Sequence, residues 1–161
     1  KAALTGHLVF STLHTNDAPS SIPRMVNMGV EPFLIADSVI LVAAQRLVRR
    51  LCQKCKVPHK LPEKALLDIG YLPEEVRSVQ VYKAGGCDAC NNTGYKGRIA
   101  LYEVMPVDDD IREQVLMRAQ SREIKKMAIE KGMITLRRSG LIKIKNGITS
   151  IEEVLRESVK D

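Results

Sequence analysis

The chain has 161 residues, a net charge of +6 and a pI near 9.2, with 45% hydrophobic and 27% charged residues. That length suits one ordinary domain or two small ones, and its longest apolar run, residues 33 to 44, is broken by Asp37 and too short to span a bilayer. With no Trp and only 4% aromatics, the core must be built from Leu, Ile, Val, Ala and Met, and base-stacking surfaces are scarce, which weakens a single-strand nucleic-acid reading.

The positive charge is spread evenly. Residues 1 to 50 carry five basic and three acidic groups, 51 to 105 carry eight and six, and 106 to 161 carry twelve and ten, so no third is a basic tail. Arg118 to Lys145 holds nine Lys or Arg against Glu123 and Glu130. This surplus reads as a solvated helical surface, with acidic lipid heads or a partner as the alternative.

In chain order, KAALTG reads as the last turn of a helix ended by Gly6, and an opening inside a helix and without Met is expected of a piece of a longer protein. His7 to Leu13, HLVFSTL, has the composition of a buried strand in a parallel sheet. Asn16 or Asp17 then caps a helix to about Met28, and strand followed by helix is an α/β signature. Glu31 to Ala44 reads as another helix, and AQRLVRRLC, residues 44 to 52, as a strand in its second half. LPEKALLDIG and LPEEVRS are expected to form helical turns, SVQVYKA a strand, NNTGY a turn and GRIALYEVM a strand. The remainder is helical: Asp108 or Asp109, Ser121 and Thr135 cap three helices, and Ser150 with Glu153 forms a capping box for a fourth. The fold class expected is α/β, with an α/β part over 1–50, a cysteine-bearing part over 51–105 and a helical part over 106–161.

All four cysteines lie in two Cys-x-x-Cys pairs, Cys52 with Cys55 and Cys87 with Cys90, separated by 31 residues. Each pair can turn its two sulfurs toward a single centre, and two such knuckles complete a tetrahedral shell around Zn2+. Glycines beside the second pair favour the tight turns this needs, and Lys54, Lys56 and Lys83 offset the thiolate charge. Thioredoxin-like redox chemistry would require a pair that follows a strand and opens a helix. Structural disulfides would require an oxidising compartment. The residues favour a closed structural zinc site, which performs no chemistry and holds a subdomain together.

If HLVFSTL is a strand, then Ser11, Thr12, His14, Thr15 and Asn16 stand at its carboxyl end, where open α/β sheets collect ligands. A hydroxyl, an imidazole and an amide there could bind phosphate or orient a water. A loop or capping role for the histidine is the competing reading.

GHLVFSTLHTNDA resembles the histidine box of the secretion ATPase superfamily, the hexameric motors of type II secretion and type IV pilus assembly. AQRLVRRLC, CQKC and CDACNNTGYKGRIALYEVM follow in the same order, and the resemblance covers essentially the whole chain. The cysteine pairs and the GYKGR block resemble the assembly and type II secretion branch rather than the retraction motors. The resemblance implies the C-terminal portion of a RecA-like ATPase core with a zinc-binding insert and a C-terminal helical subdomain. It implies ATP hydrolysis with Mg2+, a homo-hexamer, an inner-membrane platform protein as partner and a cytoplasmic position at the bacterial inner membrane. His14 corresponds to the box histidine that approaches the γ-phosphate, His7 to the other box histidine and Thr12 to a polar sensor. Arg46 and Arg49 correspond to a segment near nucleotide and subunit boundary, and Cys52, Cys55, Cys87 and Cys90 to the tetracysteine metal motif. No G-x-x-x-x-G-K-[ST] occurs, so the phosphate cradle and the acidic Walker B run are expected upstream, and the 161-residue chain alone is expected to be inactive. A zinc-ribbon nucleic-acid binder or a pure interaction module are the rival readings; no nucleic-acid partner is expected.

Overall fold

The computed structural model describes residues 2–161. Helices and strands are mixed along the chain, in the order α1 (Ser21–Asn27), α2 (Pro32–Ser38), β1 (Leu41–Leu51), β2 (Val57–His59), α3 (Glu63–Ile69), α4 (Pro73–Val76), β3 (Val81–Lys83), β4 (Tyr95–Pro106), α5 (Asp109–Leu116), α6 (Ser121–Glu130), α7 (Leu136–Lys145) and α8 (Ile151–Glu157). β1 pairs with β4 in one two-stranded sheet. β2 pairs antiparallel with β3 in another, with Pro58 opposite Tyr82.

The chain divides into two compact units that are not consecutive segments: residues 1–44 with 103–134, and residues 45–102 with 135–161. In the first, α2 packs on α5 and α5 on α6, burying Ile35, Ala36, Ile111, Val115, Ile124 and Ala128. Asp108 caps α5 by accepting from the Ile111 N–H, and Arg112 donates to the Ala36 carbonyl near the end of α2. Glu103, 1% exposed, accepts from the Ala18 N–H at 2.8 Å and so fixes the entry to α1.

The second unit is built on Leu66, Tyr71, Val76, Val81, Leu141, Ile144 and Val154. Thr135 caps α7 by accepting from the Arg138 N–H, and the buried Tyr71 hydroxyl donates to the Leu141 carbonyl. α7 and α8 approach so closely at Gly140 that a Cβ there would lie 2.3 Å from Val154 Cγ1. Arg137, in the basic stretch, is not solvated: its guanidinium is buried and donates to the Ser158 hydroxyl and carbonyl. Arg138 forks onto Glu75, so part of the apparent surface charge is spent on internal contacts.

Five expectations need correction. Neither Asn16 nor Asp17 caps α1, which begins at Ser21 with Ser20 before it, and Gln120 rather than Ser121 stands before α6, its N–H donating to Glu123. Residues 7 to 13 form no strand; they run as exposed coil, with Phe10 87% exposed. A strand exists only by hydrogen bonding to a neighbour, and no described residue supplies a ladder beside this segment. The helix expected over 31 to 44 stops at Ser38, and residues 41 to 51 become β1, which pairs with β4 and buries Ala44, Val48 and Leu51. Ser150 heads α8, but its side chain makes no cap bond and Glu153 is turned elsewhere, as described below.

Candidate metal centre and histidine segment

The first knuckle is a tight turn in which the Cys55 and Lys56 N–H groups both donate to the Cys52 carbonyl. In the second, the Cys90 and Asn92 N–H groups donate to the Cys87 carbonyl, and Asn91 and Asn92 take left-handed backbone conformations. The knuckles are joined by a hydrogen bond from the Cys52 N–H to the Gly94 carbonyl at 2.9 Å. A Cβ on Gly85 would stand 2.2 Å from the Cys55 carbonyl oxygen, and one on Gly94 would stand 2.6 Å from Ala84 Cβ with φ at +75°. These two positions therefore need glycine.

The four Sγ atoms lie within 4.8 Å of one another. Cys52 and Cys87 are 3.9 Å apart, as Cys55 and Cys90 are at 3.8 Å and Cys87 and Cys90 at 3.8 Å. A tetrahedral zinc tetrathiolate with bonds of about 2.3 Å has an edge of about 3.8 Å. All four cysteines are free, and their separations are far from the ~2 Å of a disulfide bond. Neither pair opens an α-helix of the kind redox motifs use: β2 follows the first, and the second holds only a short 3-10 turn, Asp88–Cys90, ahead of β4. Burial and hydrogen bonds from the other three thiols push Cys55 up, so the shell resists full ionisation without a cation at its centre. Burial also opposes ionisation of Cys90, but backbone hydrogen bonds at Cys87 and Gly94 outweigh it and pull that thiol down. The donor set fits a soft, tetrahedral dication.

Beside the centre lies a network that sequence reasoning missed. Glu153, 1% exposed, accepts from the Arg49 N–H at 2.8 Å, from Arg49 Nε and Nη2 at 3.0 and 2.7 Å, and from Arg156 at 3.1 Å. The Arg49 guanidinium also sits 4.1 Å above the Tyr95 ring, whose hydroxyl is 2.8 Å from Ser150 Oγ. Burial pushes the Glu153 carboxyl up, yet the Arg49 hydrogen bonds outweigh it and hold it below the usual carboxylate range. No local pattern announces this set, because Arg49 and Glu153 are 104 residues apart.

The other sequence candidates are placed differently. His7, Thr12 and His14 are exposed along the coil of the first unit, and no hydrogen bond among the described residues joins them to one another. His7 Nδ1 lies 3.0 Å from Thr5 Oγ1. Thr15 bonds Ser21 Oγ at the start of α1. Arg46 donates to the Gln45 carbonyl, and Arg49 is committed to Glu153 and Tyr95.

The sequence profile of the family described as "Type II/IV secretion system protein" matches residues 1–156. The chain belongs to this family. It is 51% identical over its whole length to the type IV pilus assembly ATPase PilB of Myxococcus xanthus, of which it covers 29%. It is 49% identical over 99% of its length to PilB of Thermus thermophilus, covering 18% of that protein, and 43% identical throughout to type II secretion system protein E of Aeromonas hydrophila, covering 32%. The chain thus spans less than a third of the length of these type II/IV secretion system relatives. No helix among its described residues is long and apolar enough to cross a membrane.

Proposed function

We propose that this chain is part of an ATP-hydrolysing motor that powers type IV pilus assembly or type II secretion, and that it contributes a zinc-clasped subdomain and a histidine-bearing segment to it. The observation that carries this reading is the identity of about half over the entire chain with a pilus assembly ATPase. Cys52, Cys55, Cys87 and Cys90 hold a structural Zn2+ with no open position, in keeping with the all-sulfur tetrahedral donor set. In the longer protein, residues 7 to 13 become a strand of a RecA-like sheet. That sheet covers the exposed Leu8, Val9 and Phe10 and sets His14 toward the γ-phosphate, with His7 and Thr12 beside it and Mg2+ on the nucleotide.

Arg46 and Arg49 lie near the nucleotide and the subunit boundary in this reading, with Arg49 held by Glu153. The motor is a homo-hexamer at the cytoplasmic face of the inner membrane, working on a platform protein there. The chain alone turns over no ATP, since none of its 161 residues forms a phosphate-cradling G-x-x-x-x-G-K-[ST] motif. Replacing His14 by Ala in the longer protein is expected to lower ATP turnover by about 10²-fold or more while zinc content stays unchanged. Turnover equal to wild type would reduce the histidine to a loop group.

A further inference from the structure

Both knuckles run directly into the Arg49 network. Arg49 and Leu51 lead into Cys52, and Tyr95 follows the second knuckle after Gly94. On the outer side of the first knuckle, Lys56 Nζ donates to the Gly147 carbonyl at 2.9 Å while lying 4.6 Å from the centre of the Tyr82 ring, and Gln53 Nε2 reaches the same carbonyl at 3.5 Å. The Leu51 N–H donates to the Ile148 carbonyl at 2.8 Å, and the Thr149 hydroxyl donates to the Arg49 carbonyl at 2.8 Å. The turn between α7 and α8 is therefore fastened at Gly147 to the metal knuckle and at Thr149 to Arg49. One turn into α8, Glu153 closes on the guanidinium; Ser150 closes on Tyr95.

We propose that the tetracysteine centre locks Arg49: metal occupancy holds the two knuckles in register, and the knuckles hold the Arg49, Tyr95 and Glu153 set and the turn into α8 closed. This rests on the metal reading of the four cysteines. With a metal bound, four sulfurs are fixed to one point, and Gln53, Lys56 and Tyr95 inherit that rigidity. Without it, the Cys52 to Gly94 backbone bond and the weak thiol contacts of Cys52 with Cys87 and of Cys55 with Cys90 are what span the knuckles. The buried Glu153 carboxylate then depends on partners held only by the β1–β4 pairing and the bonds to the turn at 148 and 149, and α8 loosens. Because coupling between two sites is reciprocal, the network must strengthen metal binding by the same factor by which metal closes the network.

The test uses the 161-residue chain and zinc alone. Zinc affinity is measured by competition with a chromophoric chelator, and amide exchange is followed over residues 147 to 156 with and without zinc. Glu153→Gln is expected to weaken zinc binding about tenfold or more, and Tyr95→Phe, which keeps the ring but loses the hydroxyl to Ser150, less. Glu75→Gln, which breaks the pair with Arg138 away from both knuckles, is expected to change it less than about twofold, separating coupling from general destabilisation. Zinc removal from the unmodified chain is expected to accelerate exchange at 147 to 156, and this reading stands even if Glu153→Gln does not fold. Equal affinities for wild type and Glu153→Gln, or exchange at 147 to 156 indifferent to zinc, would overturn the lock while leaving the metal site intact. A wild-type chain that binds no zinc would remove the metal reading and the lock with it.

Discussion

Gly85 leaves room for nothing larger than hydrogen beside the Cys55 carbonyl, so the shape of the metal knuckle is set as much by glycine as by cysteine. Gly85→Ala is expected to lower bound zinc and the melting temperature together, as read by metal analysis and calorimetry; a variant with full zinc and unchanged melting would show that the knuckle can yield. The hydrogen-bonded Arg138 fork holds Glu75 down at about 2 against an ordinary 4.5. A depressed carboxyl contributes stability that is fully present above its unfolded value and is lost as pH falls toward the folded one. Stability should therefore decline between about pH 4.5 and 2, and Glu75→Gln should flatten that limb in acid unfolding followed by circular dichroism. At this scale the cysteines were legible, since each pair needs only local turns to face one centre. Glu153 was misread because the S-x-x-E pattern at 150 to 153 has the form of a capping box. A buried carboxylate taking several charge-assisted bonds from a distant arginine outcompetes one local cap bond, and that partner is invisible from sequence.

Among the elements, the C-terminal helices were the most legible, because Asp108 and Thr135 cap α5 and α7 through their own side chains. Thr135→Ala should cost about 1 kcal/mol of stability in denaturant unfolding. Gly140 sits mid-helix, where alanine ordinarily gains about 1 kcal/mol, yet its Cβ would strike Val154 Cγ1 at 2.3 Å. Overpacking of this kind costs about 1–3 kcal/mol, so Gly140→Ala should destabilise, and a stabilised variant would contradict the close α7–α8 approach. The segment 7 to 13 has strand composition but no ladder, which shows that apolar β-formers announce a strand only where a neighbour completes it. Its amides should exchange as unprotected chain in the 161-residue protein and become protected in the longer one.

At the scale of the whole molecule, both compact units are discontinuous, and the division falls inside the two long strands, after Ala44 and after Tyr102. A reading along the chain finds segments; it does not find that residues 135 to 161 return to the cysteine-bearing part, because such closure depends on Tyr71, Leu141 and Val154 meeting across long separations. Family membership was legible in the order of short motifs, and the histidine segment and cysteine pairs carried it. In the proposed function the four clustered cysteines clasp the second unit and take no part in ATP chemistry. Native mass spectrometry of the purified 161-residue chain tests this most directly. One zinc ion per chain, lost in Cys87→Ser, is the predicted result, and a metal-free chain or one carrying two disulfides would contradict it.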